Sequence, residues 1–119
     1  MQILLADAKL MHQSAERKPI SVPLFQTEAM KLAAEMVDPA SGRKMEIWTT
    51  EPCMQMYGAQ NMTSSLPGKD GKRLCPFAAV ALETQHYPDS PNRPDFPSTV
   101  LRPGETFRST TEYRFSILP

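Results

Sequence analysis

Glu83 is the residue of this 119-residue chain whose position best suits acid–base chemistry. It follows the apolar run Ala78–Leu82, so we expect a carboxylate at the end of a buried strand. Ala79, Ala81 and Gln85 would share its face of the strand and leave room beside it. Partial burial would disfavour the charged form of the carboxyl group and raise its pKa toward the range that suits a general base. The alternative, which the pattern alone favours, is a rim glutamate that faces water.

Two histidines are the other ordinary candidates for proton transfer. His12 falls in a polar stretch near the amino terminus, and His86 falls where the apolar run meets a proline-rich segment. Isolated histidines in such places usually pack or donate hydrogen bonds, and we expect that role for both. The common catalytic signatures (GxSxG, HExxH, the dinucleotide glycine fingerprint and the EF-hand loop) do not occur in the sequence.

Cysteine spacing excludes a structural zinc site. Cys53 and Cys75 are the two cysteines of the chain, with no CxxC pair and no nearby histidine cluster. Zinc sites of this kind need four ligands at close spacing. We therefore expect no metal, and two reduced thiols rather than the alternative of one disulfide.

The overall charge balance argues against nucleic-acid and membrane partners. Thirteen basic and thirteen acidic side chains give a formal net charge of zero, which leaves no strong field to attract a polyanion. No apolar run approaches the roughly 18 residues that a membrane helix needs. Residues 1–7 also lack the basic flank of a signal peptide, so we expect a cytoplasmic protein.

The first part of the chain has a mixed pattern. The apolar run Ile3–Ala6 predicts a short buried strand, and residues 12–20 are polar and turn-like. From Pro23 to Asp38 the pattern predicts a helix that ends before Pro39. Its apolar residues at helical spacing are Phe25, Ala29, Leu32, Ala33 and Met36. We therefore expect residues 1–38 to form a strand–loop–helix segment.

Beyond Pro39 the apolar period changes from 3.6 to 2, which is typical of strands. Strands are predicted at residues 45–49, 54–57, 77–82 and 107–117. Short strands between glycine and proline turns favour an antiparallel β architecture for residues 39–119. Between residues 88 and 103 lie five of the twelve prolines, so we expect a stiff surface loop there, held by Phe96.

One long segment carries a family resemblance. Residues 82–98, LETQHYPDSPNRPDFPS, closely resemble the carboxy-terminal signature of the galactose mutarotases (aldose 1-epimerases). The resemblance covers about residues 38–118. Further matching positions are Asp38–Arg43, Glu46, Trp48–Pro52, Gln55, Tyr57 and Leu101–Glu105.

The resemblance implies a fold and a chemistry. The fold is a large antiparallel β-sandwich, of which this chain would be a fragment. The activity is interconversion of the α and β anomers of aldoses such as galactose and glucose, without a cofactor. Glu83 falls at the catalytic base that removes the proton of the C1 hydroxyl, and Gln55 falls at a sugar-binding glutamine. The family's acid is a histidine of the longer amino-terminal part of the sandwich, to which nothing in this chain corresponds.

Residues 1–36 resemble a different family. Met1–Met11, Pro23 and the region from Phe25 are similar to the amino terminus of the YaaA-like peroxide-stress proteins. That resemblance is shorter, and the zero net charge argues against transferring DNA binding from it. The sequence thus predicts two segments, 1–38 and 39–119.

Three functional hypotheses remain open at this point. The chain is an aldose 1-epimerase-related enzyme that is incomplete when isolated, or a non-catalytic remnant that binds sugar weakly through Gln55 and Glu83. The third hypothesis is an interaction module that forms homo-oligomers through exposed strand edges.

Overall fold

The structure is a computed structural model that describes residues 2–5, 20–23, 29–62, 67–73 and 75–119. The described residues form seven strands and two single-turn 3-10 helices. The strands are β1 Gln2–Leu5, β2 Ile20–Pro23, β3 Lys31–Asp38, β4 Arg43–Thr49, β5 Cys53–Tyr57, β6 Ala81–Gln85 and β7 Thr111–Ile117. The 3-10 helices are Lys69–Gly71 and Ser90–Asn92. The expected mainly β fold is therefore confirmed.

The strands form two antiparallel sheets with the core between them. One sheet has the order β1-β3-β4-β7 and the other the order β2-β5-β6. Ala33, Ala34 and Ile47 of the first sheet and Met54 of the second are fully buried against one another. Leu82 of β6 packs against this cluster. This arrangement is the expected sandwich fragment.

The outer face of the larger sheet is charged. Lys44 Nζ lies 2.6 Å from Glu35 Oε2 and 2.8 Å from Glu46 Oε1. Trp48 donates from Nε1 to Glu46 Oε2 at 2.9 Å, and Arg114 lies 4.5 Å from the centre of the Trp48 ring. Polar and apolar residues therefore alternate along β4, as the period-2 pattern predicts.

A tight turn joins β3 to β4. The Ser41 hydroxyl donates to Asp38 Oδ2 at 2.6 Å, and this bond is the main reason that the pKa of Asp38 is lowered. The Gly42 N–H donates to the Asp38 carbonyl oxygen at 2.8 Å. Gly42 has φ +70°, a left-handed conformation that glycine adopts without a steric penalty. The turn therefore fixes the register of the β3–β4 hairpin.

The predicted helix over Pro23–Asp38 is wrong where the structure describes it. Lys31–Asp38 is strand β3, paired with both β1 and β4. The register of β3 on β4 shifts between Leu32 and Ala34, and Ala33 and Ala34 are both fully buried. This bulge interrupts the period-2 pattern and leaves apolar spacing that resembles a helix. Residues 24–28 of the predicted helix lie outside the described residues.

Three predicted strands are confirmed and two have different bounds. The confirmed predictions correspond to β1, β4 and β5. The run predicted at residues 77–82 begins with a turn, in which Ala78 N–H donates to the Cys75 carbonyl oxygen, and β6 starts at Ala81. The strand predicted from residue 107 starts at Thr111. Glu83 therefore lies in the middle of a strand rather than at its end.

The proline-rich segment after β6 is an ordered loop held by aromatic contacts. Phe96 packs on Tyr87 with ring centres 5.0 Å apart, and Arg93 lies 4.6 Å from the centre of the Phe96 ring. Arg93 also donates two hydrogen bonds to Asp95, at 3.1 and 2.8 Å. The expected anchoring by Phe96 is confirmed.

The amino-terminal strands belong to the same sheets as the later ones. β1 and β3 pair in the sheet that contains β4 and β7, and β2 pairs with β5. The division into segments 1–38 and 39–119 stays a prediction, as does the resemblance of residues 1–36 to YaaA-like proteins. None of the helices in the described part of the chain is long and apolar enough to cross a membrane.

Candidate functional site

The two site residues expected from the sequence lie side by side. β5 and β6 are antiparallel neighbours, and their register puts Gln55 directly opposite Glu83. Side chains at directly opposite positions share one face of the sheet, with Cβ atoms about 5 Å apart. A single small ligand can therefore contact both side chains.

Alternation along β5 and β6 defines the composition of this face, which we call the Glu83 face. Its other members are Cys53 and Tyr57 on β5 and Ala81 and Gln85 on β6. Gln55, Tyr57 and Gln85 are half-buried, whereas Cys53 is fully buried. The Glu83 face thus presents amide, phenol and carboxylate groups, which suit a polyhydroxylated ligand.

Of the two expectations for Glu83, the rim glutamate that faces water agrees with the structure, and the partly buried carboxylate does not. Glu83 is exposed because β6 is the end strand of its sheet among the described strands, and because the Glu83 face is turned away from the core between the sheets. The expectation of partial burial depended on a strand over residues 77–82, whereas β6 begins only at Ala81. The carboxylate is therefore accessible to a ligand from solvent.

Behind Glu83, three threonines connect the two sheets. Thr111 Oγ1 lies 2.7 Å from Thr84 Oγ1 and 3.0 Å from Thr49 Oγ1. Thr49 also donates to the Thr110 carbonyl oxygen at 3.1 Å and accepts from the Glu51 N–H at 3.1 Å. The sequence does not predict this network, since period-2 alternation gives the face on which a threonine lies but not its hydrogen-bond partner. The network fixes β6, and with it Glu83, against the larger sheet.

His86 lies apart from the Glu83 face. Its Nδ1 is 3.3 Å from Oε2 of the buried Glu51, and its ring centre is 5.8 Å from that of Phe107. These contacts are the packing role that the sequence predicted for His86. His12, the other histidine considered, lies outside the described residues.

Tyr87 lies near Cys53, at one end of the Glu83 face. Burial, and then the nearby Cys53 sulfur, raise the pKa of the Tyr87 phenol. The thiol of Cys53 is buried and that of Cys75 is exposed, and neither forms a disulfide. Within the described ranges, no group of three His, Cys, Asp or Glu side chains is placed to hold a metal ion.

Comparison with known proteins gives the family. The sequence model of the aldose 1-epimerase family matches residues 7–114. The chain belongs to the aldose 1-epimerase family. The match begins closer to the amino terminus than the residues on which the sequence resemblance depends. It includes β2–β6 and the first four residues of β7.

Individual relatives agree with the family match. The chain is 39% identical over 94 residues to the galactose mutarotase of Mus musculus, an alignment of 79% of this chain and 28% of that protein. It is 42% identical over 78 residues to the galactose mutarotase of Homo sapiens, with 66% of this chain and 23% of that protein covered. The aldose 1-epimerase of Escherichia coli (strain K12) is 33% identical over 90 residues, 74% of this chain and 26% of that protein. The chain thus spans about a quarter of the length of these relatives.

Proposed function

We propose that this family member binds an aldose, galactose or glucose, on the Glu83 face, with Glu83 as the catalytic base and Gln55 as a substrate-binding residue. The observation that carries the proposal is the register pairing of Gln55 with Glu83. The exposure of Glu83 supports it, because a ligand can reach the carboxylate. The names of the relatives, galactose mutarotase and aldose 1-epimerase, support the substrate class. We also propose that the protein acts in the cytoplasm.

The proposed reaction is acid–base ring opening. Glu83 takes the proton of the C1 hydroxyl, the C1–O1 bond becomes a carbonyl, and the C1–O5 bond breaks. The electron pair of that bond goes to O5, which takes a proton from an acid. Rotation about C1–C2 and the reverse steps then give the other anomer. No cofactor enters this scheme.

Within the described residues, no histidine is placed to act as the acid that would complement Glu83 as the base. His86 contacts Glu51 and Phe107, and no other histidine lies within the described residues. The transition state needs base and acid positioned together. We therefore expect the isolated chain to bind the sugar and to accelerate mutarotation weakly.

Two measurements on the whole chain test the proposal. In amide NMR spectra, galactose should shift resonances of β5 and β6, whereas an acyclic polyol should not. In polarimetry, the chain together with imidazole as an external acid should interconvert the anomers faster than imidazole alone does. Glu83→Gln should abolish this increase, and Glu105→Gln, at an exposed glutamate of a loop, should keep it. Galactose shifts confined to other strands, or full activity of Glu83→Gln, would overturn the role of Glu83.

The second candidate is a non-catalytic protein that binds carbohydrate weakly or associates through strand edges. The exposed Glu83 favours the first form, and the exposed apolar side chains of β7 favour the second. For the carbohydrate-binding form, Gln55→Ala should weaken galactose binding while Gln60→Ala does not. Addition of the chain would then leave the mutarotation rate in buffer, and that in imidazole, unchanged.

A further inference from the structure

Strand β7 has one hydrogen-bonding edge that no described strand occupies. It is the end strand of its sheet and pairs with β4. At the two ends of this pairing, Thr50 N–H donates to the Thr110 carbonyl oxygen at 3.1 Å and Leu118 N–H donates to the Gly42 carbonyl oxygen at 2.8 Å. Antiparallel ladders bond at every second residue, so the even-numbered residues of β7 bond to β4. The outward N–H and C=O groups belong to Thr111, Tyr113, Phe115 and Ile117.

This open edge also carries exposed apolar side chains. Tyr113, Phe115 and Ile117 share one face of β7 and are 49%, 77% and 74% exposed. Edge strands of monomeric proteins are normally short, bulged or covered, because an open apolar edge pairs with other strands. β7 pairs with β4 over all seven of its residues without a register shift. It is therefore a regular strand ready to pair.

The charges of β7 indicate which strand pairs with its open edge. Glu112 and Arg114 lie on the other face, with Arg114 Nη2 2.7 Å from Glu112 Oε2, and both are about half exposed. We propose that β7 pairs antiparallel with β7 of a second copy of this chain, about a two-fold axis at Tyr113. In this register Glu112 of each copy lies opposite Arg114 of the other, so two ion pairs form across the interface.

Backbone and charge together select this register. The outward groups at odd-numbered positions allow Tyr113 to face its own equivalent and Thr111 to face Phe115 as hydrogen-bonded pairs. Glu112 and Arg114 then form the closer, non-hydrogen-bonded pairs, where side chains approach most. A two-fold axis one residue to either side would put Glu112 opposite Glu112 or Arg114 opposite Arg114. Like charges directly opposite each other destabilise a sheet.

The dimer would join two four-stranded sheets into one of eight strands. Phe115 of one copy would lie beside Thr111 of the other, which removes part of its exposed surface from water. The interface is isologous, so it closes with two copies and leaves no repeating chain of subunits. It involves only the larger sheet, so it is independent of the sugar function proposed for the Glu83 face.

Sedimentation equilibrium of charge variants tests the pairing. The wild-type chain should dimerise, and Glu112→Arg or Arg114→Glu should each weaken the dimer about tenfold, since two opposite-charge contacts become like-charge contacts. The double variant with both changes should restore the wild-type affinity, because it exchanges the charges and keeps them complementary. Circular dichroism of each variant checks that the fold is retained. A wild-type monomer at the highest soluble concentration, or a double variant as weak as the single ones, would overturn the proposal.

A crosslinking experiment tests the register separately. In a Cys75→Ser background, which removes the exposed native thiol, Tyr113→Cys should form an intermolecular disulfide under mild oxidation. Leu101→Cys, at an exposed position outside β7, is the matched control and should crosslink much more slowly. Equal crosslinking of the two variants would exclude the two-fold axis at Tyr113. Galactose shifts in β5 and β6 are read from the same preparations, so failure of the dimer and failure of the sugar site are distinguishable.

Discussion

At the scale of single residues, the side chains behind Glu83 matter as much as those beside it. The Thr111 hydroxyl is hydrogen-bonded to threonines of both sheets, Thr49 and Thr84. Its hydroxyl is thus a direct polar link between the strand that carries Glu83 and the larger sheet. A precise position for Glu83 depends on this link, because β6 has a neighbour on one side only among the described strands.

Replacement of Thr111 should therefore cost stability. Thr111→Val keeps the shape and removes the hydroxyl, which leaves polar groups of Thr49 and Thr84 with one partner fewer. We expect the free energy of unfolding to fall by about 1–3 kcal/mol, the usual cost of an unsatisfied buried group. Thr110→Val, at the adjacent exposed residue, is the control and should change little. Urea denaturation measures both, and equal effects would contradict a special role for Thr111.

At the scale of elements, the β3–β4 turn sets which residues enter the core. Asp38 pairs with Arg43 across the turn, and each later pair follows from that start as far as the bulge. Gly42 supports the turn with φ +70°, and a Cβ atom there would lie 3.5 Å from Ile117 Cγ2 of β7. Space is available for a methyl group, so the backbone conformation is the main obstacle to substitution.

Gly42→Ala should lower the free energy of unfolding by about 1–2 kcal/mol, because an L-residue in the left-handed region has that penalty. Gly58→Ala is the matched control, since Gly58 has no positive φ and a Cβ atom there would lie 3.8 Å from its nearest neighbour, Gln60 Oε1. Thermal unfolding of the two variants gives the comparison. A Gly42→Ala protein as stable as Gly58→Ala would mean that the turn can change conformation freely.

Elements also show how far the sequence determines this fold. β4 and β5 were predictable because their alternation is regular, and Ile47 and Met54 are indeed core residues. β3 was not predictable, because its bulge interrupts the alternation and its alanines, leucine and methionine favour a helix. Pairing with β1 and β4 overrides this local propensity. The residues Gln55 and Glu83 could be named from the resemblance. Their direct pairing could not, since the long connection from β5 to β6 does not determine a register.

At the scale of the whole molecule, the two thiols report on different events. Cys53 is a fully buried member of the Glu83 face, whereas Cys75 is exposed. A thiol reagent should modify Cys75 at once and Cys53 only when the sandwich opens. The rate at Cys53 should rise with urea in parallel with global unfolding, and Cys75→Ser leaves Cys53 as the single reporter. Rapid modification of Cys53 in native buffer would show that the sheet of β2, β5 and β6 opens by itself.

The order of strands in the larger sheet also bears on how the chain reaches this fold. β4 and β7 are neighbours, yet Thr49 and Thr111 are 62 positions apart, and β5 and β6 lie between them in sequence. Closing so long a loop is entropically slow, and folding rates fall as contacts become less local. During synthesis, β4 leaves the ribosome long before β7, so the edge of β4 that pairs with β7 is unpaired until β7 has been made. The nascent chain is then most vulnerable to aggregation, and a chaperone would have its largest effect on yield in that interval.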